Sequence, residues 1–173
     1  MKRLTTFIAI LALLAAGVTF AANNDNHTVR VSVPTINEVA LGEALVTIDF
    51  TDNTFDAEAQ YTGGDAYVEE SSSNTYLYWF TNQTNQKITV QADAADAGVT
   101  LYVRIDAING LVGTAGTNGA GTDTELGTTA TDVVTAISGT IAQATMVYTA
   151  RVTPAAAAAN NDRSVTYTIT SGS

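Results

Sequence analysis

Apolar and polar side chains alternate residue by residue along several segments of this 173-residue chain. The clearest run covers residues 99–105, where Val99, Leu101, Val103 and Ile105 alternate with Thr, Tyr and Arg. Successive side chains of a β-strand point to opposite faces, so this pattern gives one buried face and one face in water. The same alternation occurs at residues 28–33, 44–50, 146–152 and 165–169. All of these segments are predicted to be strands.

Two further strands are predicted at residues 75–81 and 87–92, on either side of a polar connection that suits a hairpin. Helical patterning is confined to residues 55–61, which could form a turn or two, and to the short Ala-rich stretch 154–159. Residues 113–127 are mostly Gly, Thr, Asn and Ala, which predicts a long mobile loop. About eight short strands separated by turns predict an all-β fold, an antiparallel Ig-like sandwich with Greek-key connections.

The N-terminus has the pattern of a secretory signal peptide. Lys2 and Arg3 precede an apolar run at residues 7–16, which is too short to span a bilayer and is followed by small residues. Residues 1–21 are therefore predicted to be a cleaved leader, and residues 22–173 a single domain that is secreted or held at the cell surface. Since no second apolar run of about 18 residues follows, the mature chain is not expected to insert into a membrane.

Acidic side chains dominate the charge of the chain. It has 17 Asp and Glu against 7 Lys and Arg, a net charge of −10, and loss of Lys2 and Arg3 with the leader would bring this to about −12. Such a field repels phosphates and anionic lipids, which disfavours nucleic acids and membrane surfaces as partners. Because the chain has no cysteine, its stability must come from buried apolar surface rather than from disulfides.

Side chains suited to catalysis are scarce. The single histidine, His27, lies near the predicted mature N-terminus, where a rigid Ser-His-Asp arrangement is not expected. Glycoside hydrolysis needs two carboxyl groups that converge in a cleft. The acidic pairs Glu69/Glu70 and Asp93/Asp96 instead border Ser-rich or Ala-rich connections. The chain is therefore not predicted to be an enzyme.

Metal binding is restricted by the same composition. With one histidine and no cysteine, a zinc or transition-metal site is disfavoured. Carboxylates at short loop intervals, as calcium requires, occur at Asp93 and Asp96 and again within residues 49–56. The alternative is that these acidic loops only keep the protein in solution, so no cofactor is expected apart from calcium at Asp93 and Asp96.

Aromatic residues cluster at Tyr76, Tyr78, Trp79 and Phe80. On a strand, Tyr76 and Tyr78 share one face and Trp79 lies on the other. Trp79 is predicted to be buried, because a lone tryptophan in a sandwich usually lies between the packed sheets. The alternative is that Tyr76, Tyr78 and Trp79 form a platform for a sugar ring, which would make the chain a secreted carbohydrate- or surface-binding module.

Five short motifs occur between residues 75 and 170. They are Tyr-Trp-Phe-Thr-Asn at 78–82, Lys-Ile-Thr-Val at 87–90, Gly-Val-Thr-Leu-Tyr-Val at 98–103, Ile-Ser-Gly-Thr at 137–140 and Val-Thr-Tyr-Thr-Ile at 165–169. This set resembles a loosely defined group of small exported bacterial β-sandwich proteins. The group is similar in outline to spore-coat-U-like proteins and chaperone–usher pilins, Ig-like sandwiches completed by a neighbour's strand. The resemblance implies a structural subunit without catalytic residues, although this chain lacks the paired cysteines of most such pilins.

The segment 27–33, within residues 22–34, is the predicted assembly element. Val29, Val31 and Val33 alternate with polar residues. Pro34 follows, and its missing N–H would interrupt a continuing ladder. This segment either donates a strand to a neighbouring copy or forms the first strand of its own sandwich. The chain is thus expected to be an exported structural protein, a homo-oligomer or polymer that builds a pilus-like filament or a surface layer.

Overall fold

The computed structural model describes residues 28–50, 56–119, 121–157 and 162–173. The chain divides into two units, residues 1–33 and residues 34–173. The predicted signal peptide and His27 lie outside the described residues, so the leader stays a prediction. In the first unit only residues 28–33 are described, and they form no strand.

The second unit is mostly antiparallel β-structure, which confirms the all-β prediction. In chain order its elements are β1 (Asn37–Leu41), α1 (Ala57–Gly63), β2 (Val68–Ser71), β3 (Thr75–Thr81), β4 (Gln86–Ala92), β5 (Val99–Thr114), β6 (Thr124–Glu125), β7 (Thr131–Val152) and β8 (Val165–Ser171). The helix begins where the Asp56 carboxylate accepts hydrogen bonds from the backbone N–H groups of Glu58 and Ala59, both at 3.0 Å. It ends at Gly64, which adopts the left-handed conformation.

The long strand β7 organises the fold. The first part of β7 pairs with β4, and its later part pairs with β3 along one edge. β5 pairs with this later part along the other edge. All three pairings are antiparallel. Between the two parts, Ala136 and Gly139 have positive φ angles of 58° and 48°, and the neighbouring ladders contain register shifts. Positive φ and bulges bend a strand. One strand therefore serves both parts of the sheet.

The strand path runs β1-β3-β7-β4-β8 and is nearly closed on itself. Its two ends approach each other, since Val39, Ala40 and Leu41 of β1 line a common cleft with Tyr167 of β8. The core lies inside this curled sheet. Its most buried large side chains are Leu77 and Trp79 of β3, Ile88 and Val90 of β4, Val103 of β5, and Val134, Ile137 and Met146 of β7.

Some of the predicted strands need correction. Residues 28–33 and 44–50 form no strand, although Val46 and Ile48 pack against the core. Alternation reports which side chains are buried, and an irregular segment lying along a core can show the same rhythm without a ladder. The connection 82–85 is not a hairpin turn either, because β3 and β4 both pair with β7 rather than with each other.

Parts of the Gly-rich segment 113–127 belong to β5 and β6 or bridge to β7, so its described residues are not one long loop as predicted. The backbone N–H of Thr117 donates to the carbonyl of Thr135 at 2.8 Å, and the side chain of Asn118 donates to the carbonyls of Ile105 and Asp106. The segment also contributes β6 and the buried Leu126. Gly113 and Gly116 approach β7 closely, whereas a Cβ at Gly121 would meet nothing within 4 Å, so only some of the small residues serve packing.

Candidate functional site

The predicted assembly segment exposes its apolar side chains. Val29, Val31 and Val33 are 71%, 78% and 65% exposed, and none of them lies in a strand. The alternative that residues 28–33 form the first strand of their own sheet is therefore wrong. Leaving three valine side chains in water forgoes the free energy that burying their apolar surface would contribute. These three apolar side chains are therefore available for burial against another surface.

The ends of the strand path are open to pairing. Within the described residues, β1 forms a backbone ladder only with β3 and β8 only with β4, so the facing edges of these two strands are not hydrogen-bonded to each other. Between these edges lies a shallow cleft of about 190 Å³ lined by Val39, Ala40, Leu41 and Tyr167. We call this cleft and the two strands beside it the β1/β8 seam. Unpaired edges with apolar side chains beside them can accept an added strand.

The aromatic cluster is divided between the two faces of β3. Trp79 is 2% exposed and belongs to the core, which confirms its predicted burial. The alternative that Trp79 forms part of a sugar-binding platform is therefore wrong. Tyr76 and Tyr78 lie on the outer face, 42% and 40% exposed. Their ring centroids are 6.1 Å apart, with 33° between the ring planes.

An arginine missed by the sequence analysis joins three strands. The Arg151 guanidinium lies 4.8 Å from the ring centroid of Tyr67 and 4.5 Å from that of Tyr102, which are favourable cation–π distances. Its Nε donates to Glu69 Oε2 at 2.5 Å, and this bond, above all, raises the pKa of Arg151. In the sequence, the feature that could have pointed to this contact is the single arginine among the alternating residues of β7. Arg151 thus holds β2 against β5 and β7.

A cleft of about 420 Å³ lies beside this arginine, between α1 and β2. It is lined by Gln60, Asp65, Tyr67, Val68, Glu69 and Glu70. The carboxylate of Glu69 is already engaged by Arg151, and Glu69 and Glu70 alternate between exposed and half-buried positions along β2. The two carboxylates are therefore not placed side by side as a general acid and base.

The calcium candidates are engaged with the start of β8. Asp93 Oδ1 accepts the backbone N–H of Ser164 at 3.2 Å, and the Asp96 carboxylate pairs with the guanidinium of Arg163. Of the second acidic set, Asp56 caps α1, whereas Asp52 and Asn53 lie outside the described residues. In the part of the chain that the structure describes, no three Asp, Glu or His side chains converge as a metal site would require.

A scan of protein-family models finds no match to this chain, and no curated protein matches it. Among the described residues, no helix is long and apolar enough to cross a membrane.

Proposed function

We propose that this chain is an exported structural protein whose copies join through donated strands into a filament or surface layer. One observation carries the proposal: Val29, Val31 and Val33 are exposed and lie outside every strand of their own chain. Burial of three valines in a neighbour would contribute about 5–8 kcal/mol from apolar surface. The export signal at residues 1–21 and an Ig-like sandwich architecture belong to the same proposal.

The receiving site in this proposal is the β1/β8 seam of the next copy. A strand laid along it would supply backbone partners to an outer edge and cover Val39 and Leu41. Repetition of this contact from copy to copy is head-to-tail, so it generates an open polymer rather than a closed pair. The resemblance to chaperone–usher pilins supports the same arrangement.

The experiment compares two neighbouring substitutions in the donor segment. Val31→Asp places a charge on the apolar side of the alternation, and Ser32→Asp places the same charge on its polar side. Both positions are exposed in the single chain, so both variants should fold with unchanged melting temperature. Sedimentation and electron microscopy of the purified mature protein should show assemblies for wild type and Ser32→Asp, and single subunits for Val31→Asp.

A truncated chain beginning at Pro34 supplies the second arm. It should remain monomeric and be stabilised by a synthetic peptide covering residues 26–35, because the peptide takes the place of the neighbour's strand. The proposal fails if the full mature chain stays monomeric at high concentration. It also fails if Val31→Asp assembles as well as Ser32→Asp does.

A further inference from the structure

The outer face of the sheet carries a row of aromatic side chains that are not part of the buried core. Tyr76, Tyr78 and Phe80 follow one another along β3 on the side opposite Leu77 and Trp79. Same-face neighbours on a strand are about 6.8 Å apart, so the three rings form a line. Tyr76 and Tyr78 are half exposed, and Phe80 is partly exposed. We call these three side chains the aromatic row.

The strand register places uncharged polar side chains beside this row. Tyr78 lies opposite Gln143 of β7, and Gln143 lies opposite Asn109 of β5. Tyr76 lies opposite Thr145. Directly opposite residues on one face of an antiparallel pair are close neighbours. Two amides and a hydroxyl therefore border the aromatic row on the β7 side.

On the other side of the row, small residues lie beside the two tyrosines, and Glu38 of β1 lies opposite Phe80. Ala40 of β1 lies opposite Tyr78, and the backbone N–H of Gly42 donates to the carbonyl of Tyr76 at 2.8 Å. A Cβ atom at Gly42 would lie 3.2 Å from Tyr76 Cβ and 3.5 Å from Tyr78 Cε2. Since neither neighbour has a long side chain, the edges of both tyrosine rings stay accessible from β1.

Exposed apolar side chains extend the same face. Ile141 lies opposite Phe80 and Val112 lies opposite Ile141, and both aliphatic side chains are exposed. Contiguous apolar surface on a folded domain marks a binding surface. Because this face is a sheet surface rather than an enclosed pocket, it suits an extended ligand better than a small one.

We propose that the aromatic row, with Gln143, Asn109 and Thr145, binds a neutral, extended polysaccharide. The C–H faces of sugar rings stack on the negative faces of tyrosines, and their hydroxyl groups pair with amide and hydroxyl side chains. The charge of the protein selects the class of polymer. With a net charge of −10, and with uncharged residues opposite the two tyrosines on both neighbouring strands, the surface disfavours polyanions.

Ala40 of β1 borders both the aromatic row and the β1/β8 seam, but the donor segment contributes none of the side chains proposed to bind the polysaccharide. Assembly through donated strands would display many copies of the aromatic row along a filament, and linked copies bind a polymer more tightly than one copy does. The binding itself does not depend on assembly. Val31→Asp should therefore abolish assembly and leave single-copy binding unchanged.

The test uses the mature full-length protein with insoluble cellulose, insoluble chitin and soluble xylan as probes, by co-sedimentation and affinity electrophoresis. At least one neutral polymer should bind wild type, and high salt should leave the binding unchanged because no ion pairs are involved. The double variant Tyr76→Ala/Tyr78→Ala should weaken binding by about tenfold, from two lost stacking contacts. Tyr61→Ala, at an exposed tyrosine on α1, is the matched control and should bind like wild type.

Tyr78→Phe separates stacking from hydrogen bonding and should retain most of the binding. Thermal melts check that each variant is folded. The proposal is overturned if no probe binds, if the double variant binds like wild type, or if Tyr61→Ala loses binding equally. Loss of self-association in the double variant, without polysaccharide binding by wild type, would show instead that this face is an interface between copies.

Discussion

The hydroxyl oxygens of Tyr148 and Tyr167 lie 2.8 Å apart inside the core. Tyr148 belongs to β7 at the centre of the fold and Tyr167 to β8 at one end of the strand path, so the hydrogen bond ties these two strands together. Burial raises the pKa of both phenols. The bond to Tyr167 partly offsets this for Tyr148, whereas the proximity of Tyr148 raises the pKa of Tyr167 further. The pair is held neutral in the folded protein.

This pair predicts a loss of stability in alkali. In the unfolded chain both phenols ionise near pH 10, whereas in the folded chain they keep their protons to higher pH. Above about pH 10 the unfolded state therefore binds fewer protons than the folded state, and the free energy of unfolding falls as pH rises. Urea unfolding curves at successive pH values should show a plateau below pH 10 and a decline above it.

The double variant Tyr148→Phe/Tyr167→Phe tests the origin of that decline. Removing both hydroxyls leaves no unpaired polar group, so stability at neutral pH should change little. The decline above pH 10 should become shallower. Tyr76→Phe, at an exposed ring, should leave it unchanged. An equally steep decline in the double variant would mean that other groups cause it.

Trp79 is predicted to be a major contributor to the core. Its replacement by Ala should lower the free energy of unfolding by about 3–5 kcal/mol, through lost burial and the remaining cavity. Trp79→Phe should cost less, because the indole Nε1 has no hydrogen-bond partner among the described residues. Since this is the only tryptophan, native fluorescence reports on it directly. Emission and quenching like those of free tryptophan would contradict its burial.

Two glycines of the segment 113–127 form a matched test of its packing. Gly116 and Gly121 both have positive φ, 104° and 69°, so Ala at either should cost about 1–2 kcal/mol in backbone strain. A Cβ at Gly116 would also lie 2.7 Å from Val134 Cγ1 and 2.8 Å from Ile137 Cγ1, whereas one at Gly121 meets nothing within 4 Å. Overpacking should add about 1–3 kcal/mol at Gly116 alone. Equal melting temperatures for the two variants would show that the backbone around Gly116 shifts to accommodate the added methyl group at little cost.

The sequence predicted those strands whose alternation is matched by a ladder. Residues 75–81 coincide with β3, and the predicted strand 87–92 lies within β4. The same rhythm at residues 44–50 gave a wrong strand, because Val46 and Ile48 alternate in burial without backbone pairing. Strand pairing is a long-range property. No local pattern could show that β3 and β4 share β7 as a partner.

The candidate surfaces were predictable to different degrees. The period of two placed Tyr76 and Tyr78 opposite Trp79, which separates the exposed rings from the buried one. The neighbours Gln143 and Asn109 could not be predicted, because they depend on the register of β7 with β3 and β5. The contact of Arg151 with two tyrosine rings depends on that three-dimensional pairing in the same way.

Arg151 is predicted to control the local stability of β2. Arg151→Met removes the ion pair with Glu69 and the cation–π contacts, so the amides of Val68–Ser71 should exchange hydrogen faster while those of β4 stay protected. Arg151→Lys should restore protection only in part, because an ammonium lacks the planar group that stacks between two rings. Arg104→Met is the control, since Arg104 pairs with Asp106 and Asp123 rather than with β2. Unchanged exchange of the β2 amides in Arg151→Met would show that backbone pairing with β7 alone holds this strand.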